Sequence, residues 1–129
     1  MSDFKKKYSL DERKNITIKI LEKYEDKCPI YLSIDKQILS NIDSMFIKNI
    51  NRYIVTSNLT LTQFLSILRK KINFSQNESL TLFVEIYNDK KIINSILAPL
   101  TSSIGSIYNN YKDEDGFIYL NIVKENVFG

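Results

Sequence analysis

The stretch "TLTQFLSILRKKI", Thr60 to Ile72, restricts the fold of this chain more than any other. Thr60-Leu-Thr-Gln63 reads as a capping box, a hydroxyl at the N-cap answered by an amide three residues on. Behind it Leu61, Phe64, Leu65, Leu68 and Ile72 recur at i, i+3, i+4, i+7 and i+11. That spacing predicts an amphipathic helix with one apolar stripe, and Ile67 falls off the stripe. Such a stripe needs a second layer to cover it. The segments on either side read as strands.

Ahead of the helix, "IYLSI" (Ile30 to Ile34) sets Ile30, Leu32 and Ile34 on one face and Tyr31 and Ser33 on the other. "RYIVT" (Arg52 to Thr56) is a second strand. Behind the helix, Leu80, Leu82, Val84 and Ile86 alternate with Thr81, Phe83 and Glu85 as a third. "YNDKKIINSI" is polar, then apolar, and is expected as a loop. Leu100, Ile104, Ile107, Tyr108 and Tyr111 are helically spaced. "KDEDG" is a turn in which Gly116 supplies a permissive backbone. "FIYLNI" (Phe117 to Ile122) is the last strand.

At the N-terminal end, Phe4 to Tyr8 is a short basic lead. Ser9-Leu-Asp-Glu12 is another capping box, and Ile16, Ile20 and Tyr24 follow at i, i+4 and i+8. These predict a helix from about Asp11 to Lys23, ended by Lys27-Cys28-Pro29. Asp35 to Asn49 has no clean period and is expected as a long connection. The order is helix, strand, strand, helix, strand, helix, strand. It predicts an α+β fold, a β-grasp sheet of the ubiquitin-like kind with an N-terminal helical extension. We divide one domain into an extension (1–27), a β-grasp core (28–123) and a flexible tail (124–129).

Composition removes several classes of function. The 129 residues are 43% hydrophobic and 26% charged, ordinary for a globular chain. The formal charge of +3 is too small to argue for nucleic acid. A single cysteine rules out a disulfide framework, and Cys28 reads as a packing residue. The absence of histidine removes His-based acid–base chemistry, His-activated nucleophiles and most zinc sites. No enzymatic constellation, metal site or cofactor is expected. No apolar run approaches the ~20 residues of a membrane span.

Three blocks carry a resemblance. "IYNNYKDEDGFIYLNIVKENVFG" (Ile107 to Gly129) has an acidic turn, an aromatic strand and a terminal Phe-Gly. "RYIVTSNLTLTQFLSILRKKI" (Arg52 to Ile72) and "KYEDKCPIYL" (Lys23 to Leu32) precede it in order. Together they resemble the GABARAP family of autophagy ubiquitin-like modifiers over nearly the whole chain. The sequence departs from that family's pattern at Thr56, at Ile16, in "FVEIYN" and in a longer segment from about Tyr87 to Ala98.

The resemblance implies a modifier joined through the carboxylate of Gly129 to the amine of phosphatidylethanolamine. Ubiquitin-like activating and conjugating enzymes would serve as its partners, with a cysteine protease to remove the lipid. It would be cytoplasmic, and on the autophagosome or a related organelle membrane when lipidated. It implies, further, binding of aromatic-x-x-aliphatic motifs of cargo receptors by strand addition. The aromatic pocket would be lined by Ile16, Ile20, Pro29, Tyr31, Arg52, Ile54 and Phe117. The aliphatic pocket would be lined by Tyr53, Val55, Leu59, Phe64 and Ile67. Lys27 and Arg69 would pair with acidic flanks. The residue pattern by itself sets Tyr31, Ile54 and Ile67 away from the expected core. The competing reading is a non-conjugated adaptor or cytoskeleton-associated module of the same fold. Lys5-Lys6-Lys7 is expected as a solvated face, and Asp113 to Gly116 as a turn without calcium.

Overall fold

The computed structural model describes residues 3–34, 52–72 and 79–124. In chain order these form α1 (Asp3–Lys7), α2 (Leu10–Lys23), β1 (Lys27–Ile34), β2 (Arg52–Thr56), α3 (Leu61–Ile72), β3 (Leu80–Asn88), β4 (Lys91–Leu97), α4 (Ile104–Tyr111) and β5 (Ile118–Lys124). The connection expected over Asp35 to Asn49 and the terminal residues with Gly129 lie outside the described residues.

The strands make one mixed sheet in the order β2-β1-β5-β3-β4. β1 and β5 run parallel at its centre, with Ile30 opposite Ile118 and Leu32 opposite Leu120. The remaining pairs are antiparallel. The two-residue period sends Cys28, Ile30, Leu32, Leu82, Val84, Ile118, Leu120 and Ile122 to one face. There Leu61, Phe64, Leu65 and Leu68 of α3 and Ile104, Ile107 and Tyr108 of α4 cover them. Leu61, Phe64, Leu65 and Leu68 of the stripe read from the sequence are therefore buried. Each fully buried aliphatic side chain contributes about 1.5–3 kcal/mol, so this face carries most of the core energy.

The opposite face is aromatic. Tyr31 and Tyr119 lie there with Phe117, beneath Phe4 of α1, and Ile16 and Ile20 of α2 pack at the margin. A central strand covered on both sides cannot show polar alternation, and residues 118–120 of β5 are all buried.

Five expectations need correction. The segment taken for a loop is the β3–β4 hairpin. Asp89 and Lys90 form its turn, and Asp89 takes a φ of 57°, a left-handed conformation that aspartate tolerates. Ile86 faces Asn94 but Tyr87 faces Ile92, so Ile93 is the extra residue of a bulge. That bulge breaks the alternation by which a strand is recognised. The basic lead contains helix α1, and Lys5 is fully buried rather than solvated. The helix expected from Leu100 starts at Ile104, capped by the Ser103 side chain accepting from the Ser106 N–H. The Leu100 carbonyl instead accepts from the Thr62 N–H at 3.0 Å. β5 starts after Phe117, whose N–H donates to Asp115 Oδ1 at 2.8 Å and not to a neighbouring strand. Finally, Lys27 and Lys124 belong to strands, so the sheet reaches one residue past each boundary drawn for the core.

Candidate functional site

β2 closes one end of the sheet, and no described strand pairs with its outer edge. Its side chains alternate between two differently covered faces. Arg52 and Ile54 share the aromatic face, opposite Tyr31 and Pro29 of β1. Tyr53 and Val55 share the α3 face. Ile54 is 41% exposed beside β2's open edge, and Ile67 of α3 is 39% exposed.

On the aromatic face the structure brings Ile16, Ile20, Tyr31 and Phe117 together, with Pro29, Ile54 and Arg52 at the strand margin. Ile16 and Ile20 are half-buried; Pro29, Tyr31 and Phe117 are buried; Arg52 is exposed. Tyr31 does leave the main core, as its strand position requires, but it is not a surface residue. Phe4 covers it, stacked at 5.6 Å between centroids and 13° between planes. Phe4 also meets the Phe117 ring at 4.8 Å, and the Arg52 guanidinium lies 5.3 Å over the Phe4 ring. Burial, with Asp3 nearby, pushes the Tyr31 phenol above its ordinary range. Phe4 is thus a member of this cluster that the sequence reading did not name.

On the α3 face Val55 and Phe64 are buried in the main core, and Tyr53 and Leu59 pack half-buried against it. Tyr53 meets the Phe64 ring edge-on, 5.7 Å apart at 85°. The Tyr53 hydroxyl is buried and finds no hydrogen-bond partner among the described residues. Leaving a buried hydroxyl unmatched costs ~1–3 kcal/mol, which an acceptor brought by a ligand would offset. Lys71 stands 5.7 Å over the Tyr53 ring. Of the charged candidates, Lys27 is exposed and Arg69 is half-buried.

A buried ionic network holds α1 and α2 in place. Arg13 Nε donates to Asp115 Oδ2 at 2.8 Å, and both side chains are almost wholly buried. The same oxygen accepts from the Tyr119 hydroxyl at 2.5 Å, while the Arg13 guanidinium also donates to the Tyr8 carbonyl at 2.7 Å. Thr17 Oγ1 donates to the Asp115 carbonyl at 2.6 Å. Lys5 Nζ donates to Asp113 Oδ1 at 3.0 Å and to the Asp89 carbonyl at 2.9 Å, and lies 4.4 Å over the Tyr87 ring. Burial and then the Asp115 charge raise the Asp113 carboxyl, while Lys5 opposes them. Burial and the Asp115 contact hold the Tyr119 phenol protonated far above its ordinary range. Gly116, at φ 89°, is required here, because a Cβ would sit 2.4 Å from Thr17 Cγ2. The network was missed, although one signal was present. Arg13 lies three and seven residues before Ile16 and Ile20, on their own apolar stripe.

Comparison with known proteins agrees with this architecture. Residues 12–129 match the family model described as autophagy protein Atg8, ubiquitin-like. Autophagy-related protein 8 of Schizosaccharomyces pombe is 33% identical over 99% of this chain and 94% of its own length. Its counterpart in Neurospora crassa is 32% identical over 99% and 94%. The crystal structure of Trypanosoma brucei ATG8 superposes with a TM-score of 0.74 at 30% identity, covering 100% of this chain and 99% of that one. Plasmodium falciparum Atg8, solved in complex with a Plasmodium falciparum Atg3 peptide, gives 0.73 at 25% identity, with 98% of each chain covered. Atg8 proteins are ubiquitin-like modifiers of autophagy and not enzymes, and this chain belongs to the Atg8 family.

Proposed function

We propose that this chain is a lipid-conjugated adaptor, joined through the carboxylate of Gly129 to phosphatidylethanolamine, and that the β2 edge binds aromatic-x-x-aliphatic motifs. The observation that carries the binding half is the division of apolar surface across β2. In an extended peptide, residues three apart point to opposite faces. A strand added beside β2 would send its aromatic side chain toward Ile54, Pro29, Ile16 and Ile20. Its aliphatic side chain would go toward Tyr53, Leu59 and Ile67. Val55 and Phe64 support that second pocket from below, and Tyr31 and Phe117 support the first. Arg52, Lys27 and Arg69 are the charged candidates for acidic flanks, at ~0–1 kcal/mol each where exposed.

Family membership supports the conjugation half. The Plasmodium relative's complex with an Atg3 peptide supports a ubiquitin-like conjugating enzyme as partner. Among the described residues no helix is long and apolar enough to cross a membrane. Two acyl chains attached at Gly129 would supply the anchor, at ~0.8 kcal/mol per buried CH₂. On this reading the adaptor acts at the autophagosome or a related membrane.

Calorimetry with an acidic synthetic peptide bearing Trp-x-x-Leu tests the binding half. Ile54→Ala combined with Ile67→Ala removes two exposed side chains and should leave the core intact. Affinity should fall at least about tenfold. Unchanged affinity would remove the pocket assignment. Phe64 is unsuitable for this test, because it is core and its truncation would cost ~3–5 kcal/mol of stability.

A further inference from the structure

A cleft of about 430 Å³ opens between the far end of the β3–β4 hairpin and the last turn of α4. That volume falls within the ~300–1,000 Å³ usual for ligand pockets. It lies at the other end of the sheet from β2, on the segment that is longer than the family pattern. Ile86, Ile96 and Tyr111, half-buried against the main core, form an apolar floor. Three exposed amides stand around it, Asn88 and Asn94 from the hairpin and Asn110 from α4. The bulge sets one of them there. Asn94 lies opposite Ile86, on the α4 face, whereas Ile92 lies opposite Tyr87, on the other. In a regular strand, residues two apart would share a face. The hairpin is held in position, because Lys5 Nζ donates to the Asp89 carbonyl at its turn, 2.9 Å away.

The charge at the cleft is negative. Glu85, Asp89, Asp113 and Glu114 line it against a single lysine, Lys112, and Lys90 and Lys91 do not line it. Asp113 is taken by Lys5, and Lys112 lies 5.4 Å over the Tyr108 ring. Asp89 and Glu114 are exposed and make no ion pair among the described residues. The last carbonyls of α4 add the negative end of a helix dipole.

We propose that this cleft holds an arginine side chain presented by a partner protein, a contact separate from the motif site at β2. Arginine fits each part of the lining. Its aliphatic stem lies along Ile86 and Ile96. Its planar guanidinium lies against the Tyr111 ring, and its forked donors reach the amide oxygens of Asn88 and Asn110 and the carboxylate of Glu114. A lysine would bring the charge without the plane or the fork, and an acidic ligand would meet like charge.

The test uses the full, isotope-labelled chain and nuclear magnetic resonance. The probe is a blocked pentapeptide with one central arginine between glycines. Its comparison peptide carries citrulline, which keeps the shape and loses the charge. One side chain in an open cleft binds weakly, so the titration runs to about 10 mM. Amide shifts should gather at Asn88, Asn94 and Asn110 to Glu114, and the citrulline peptide should bind at least about fivefold more weakly. Glu114→Lys should weaken arginine binding at least about fivefold too, whereas Glu22→Lys, equally exposed but on α2, should not. Ile54→Ala with Ile67→Ala should leave it unchanged, which separates this contact from the motif site. The proposal is overturned by a cleft without shifts at the top of the titration. It is overturned equally by citrulline binding as well as arginine, or by Glu22→Lys weakening binding as much as Glu114→Lys.

Discussion

Glu85 is a carboxylate on the Tyr119 face of the sheet, near Ser33 and Asn121. It pairs across the ladder with Tyr119, and the Ser33 hydroxyl donates to it at 3.3 Å. Burial outweighs that hydrogen bond and raises its carboxyl above the ordinary 4.5. The sign follows from linkage. A carboxyl that holds its proton more tightly when folded favours the folded state most below its unfolded pKa. That contribution is lost as pH rises through the folded value. Glu85→Gln keeps the acceptor for Ser33 and removes the charge. The variant should melt above the parent at pH 7, and the gap should close as pH is lowered toward 4. Thermal melts across that range check it, and a variant less stable than the parent at pH 7 would contradict it.

At the scale of elements, the N-terminal helices are attached by ions as much as by apolar packing. Arg13 and Lys5 reach from α2 and α1 to Asp115 and Asp113 in the turn before β5. A buried pair broken on one side leaves an uncompensated charge, at a cost of ~3–5 kcal/mol. Arg13→Ala should lose about that much in urea denaturation. Amide exchange should rise in α1 and α2 before it rises in β1 or β5. A loss below ~1 kcal/mol would mean that Asp115 is adequately held by Tyr119 and the Phe117 N–H. The same elements show what a sequence reader can see. The α3 stripe and the alternation in β3 were legible because one face of each is buried and the period survives; β1 is buried on both faces, but its aliphatic residues alternate with Tyr31 and Ser33. β4 was not, because the bulge at Ile93 destroys the period and its side chains are mostly exposed. Lys5 looked solvated because charge predicts exposure unless the partner is visible, and Asp113 is 108 residues away. The β2 edge was located through the family resemblance. The cover of Tyr31 by Phe4 needed the fold.

At the scale of the molecule, one mixed sheet ends in β2 on one side and β4 on the other, and no described strand pairs with the outer edge of β2. On the proposed function, β2 would offer the motif site and Gly129 the carboxylate for conjugation. Lipid conjugation is the central claim of the proposed function. The most direct test is mass spectrometry of the C-terminus after incubation with activating and conjugating enzymes, ATP and phosphatidylethanolamine liposomes. Gly129→Ala runs beside it. The expected result is a lipid-mass adduct on Gly129 that the variant lacks. With enzymes proven active on a control substrate, no adduct on the parent chain would contradict lipid conjugation and leave a non-conjugated adaptor of the same fold.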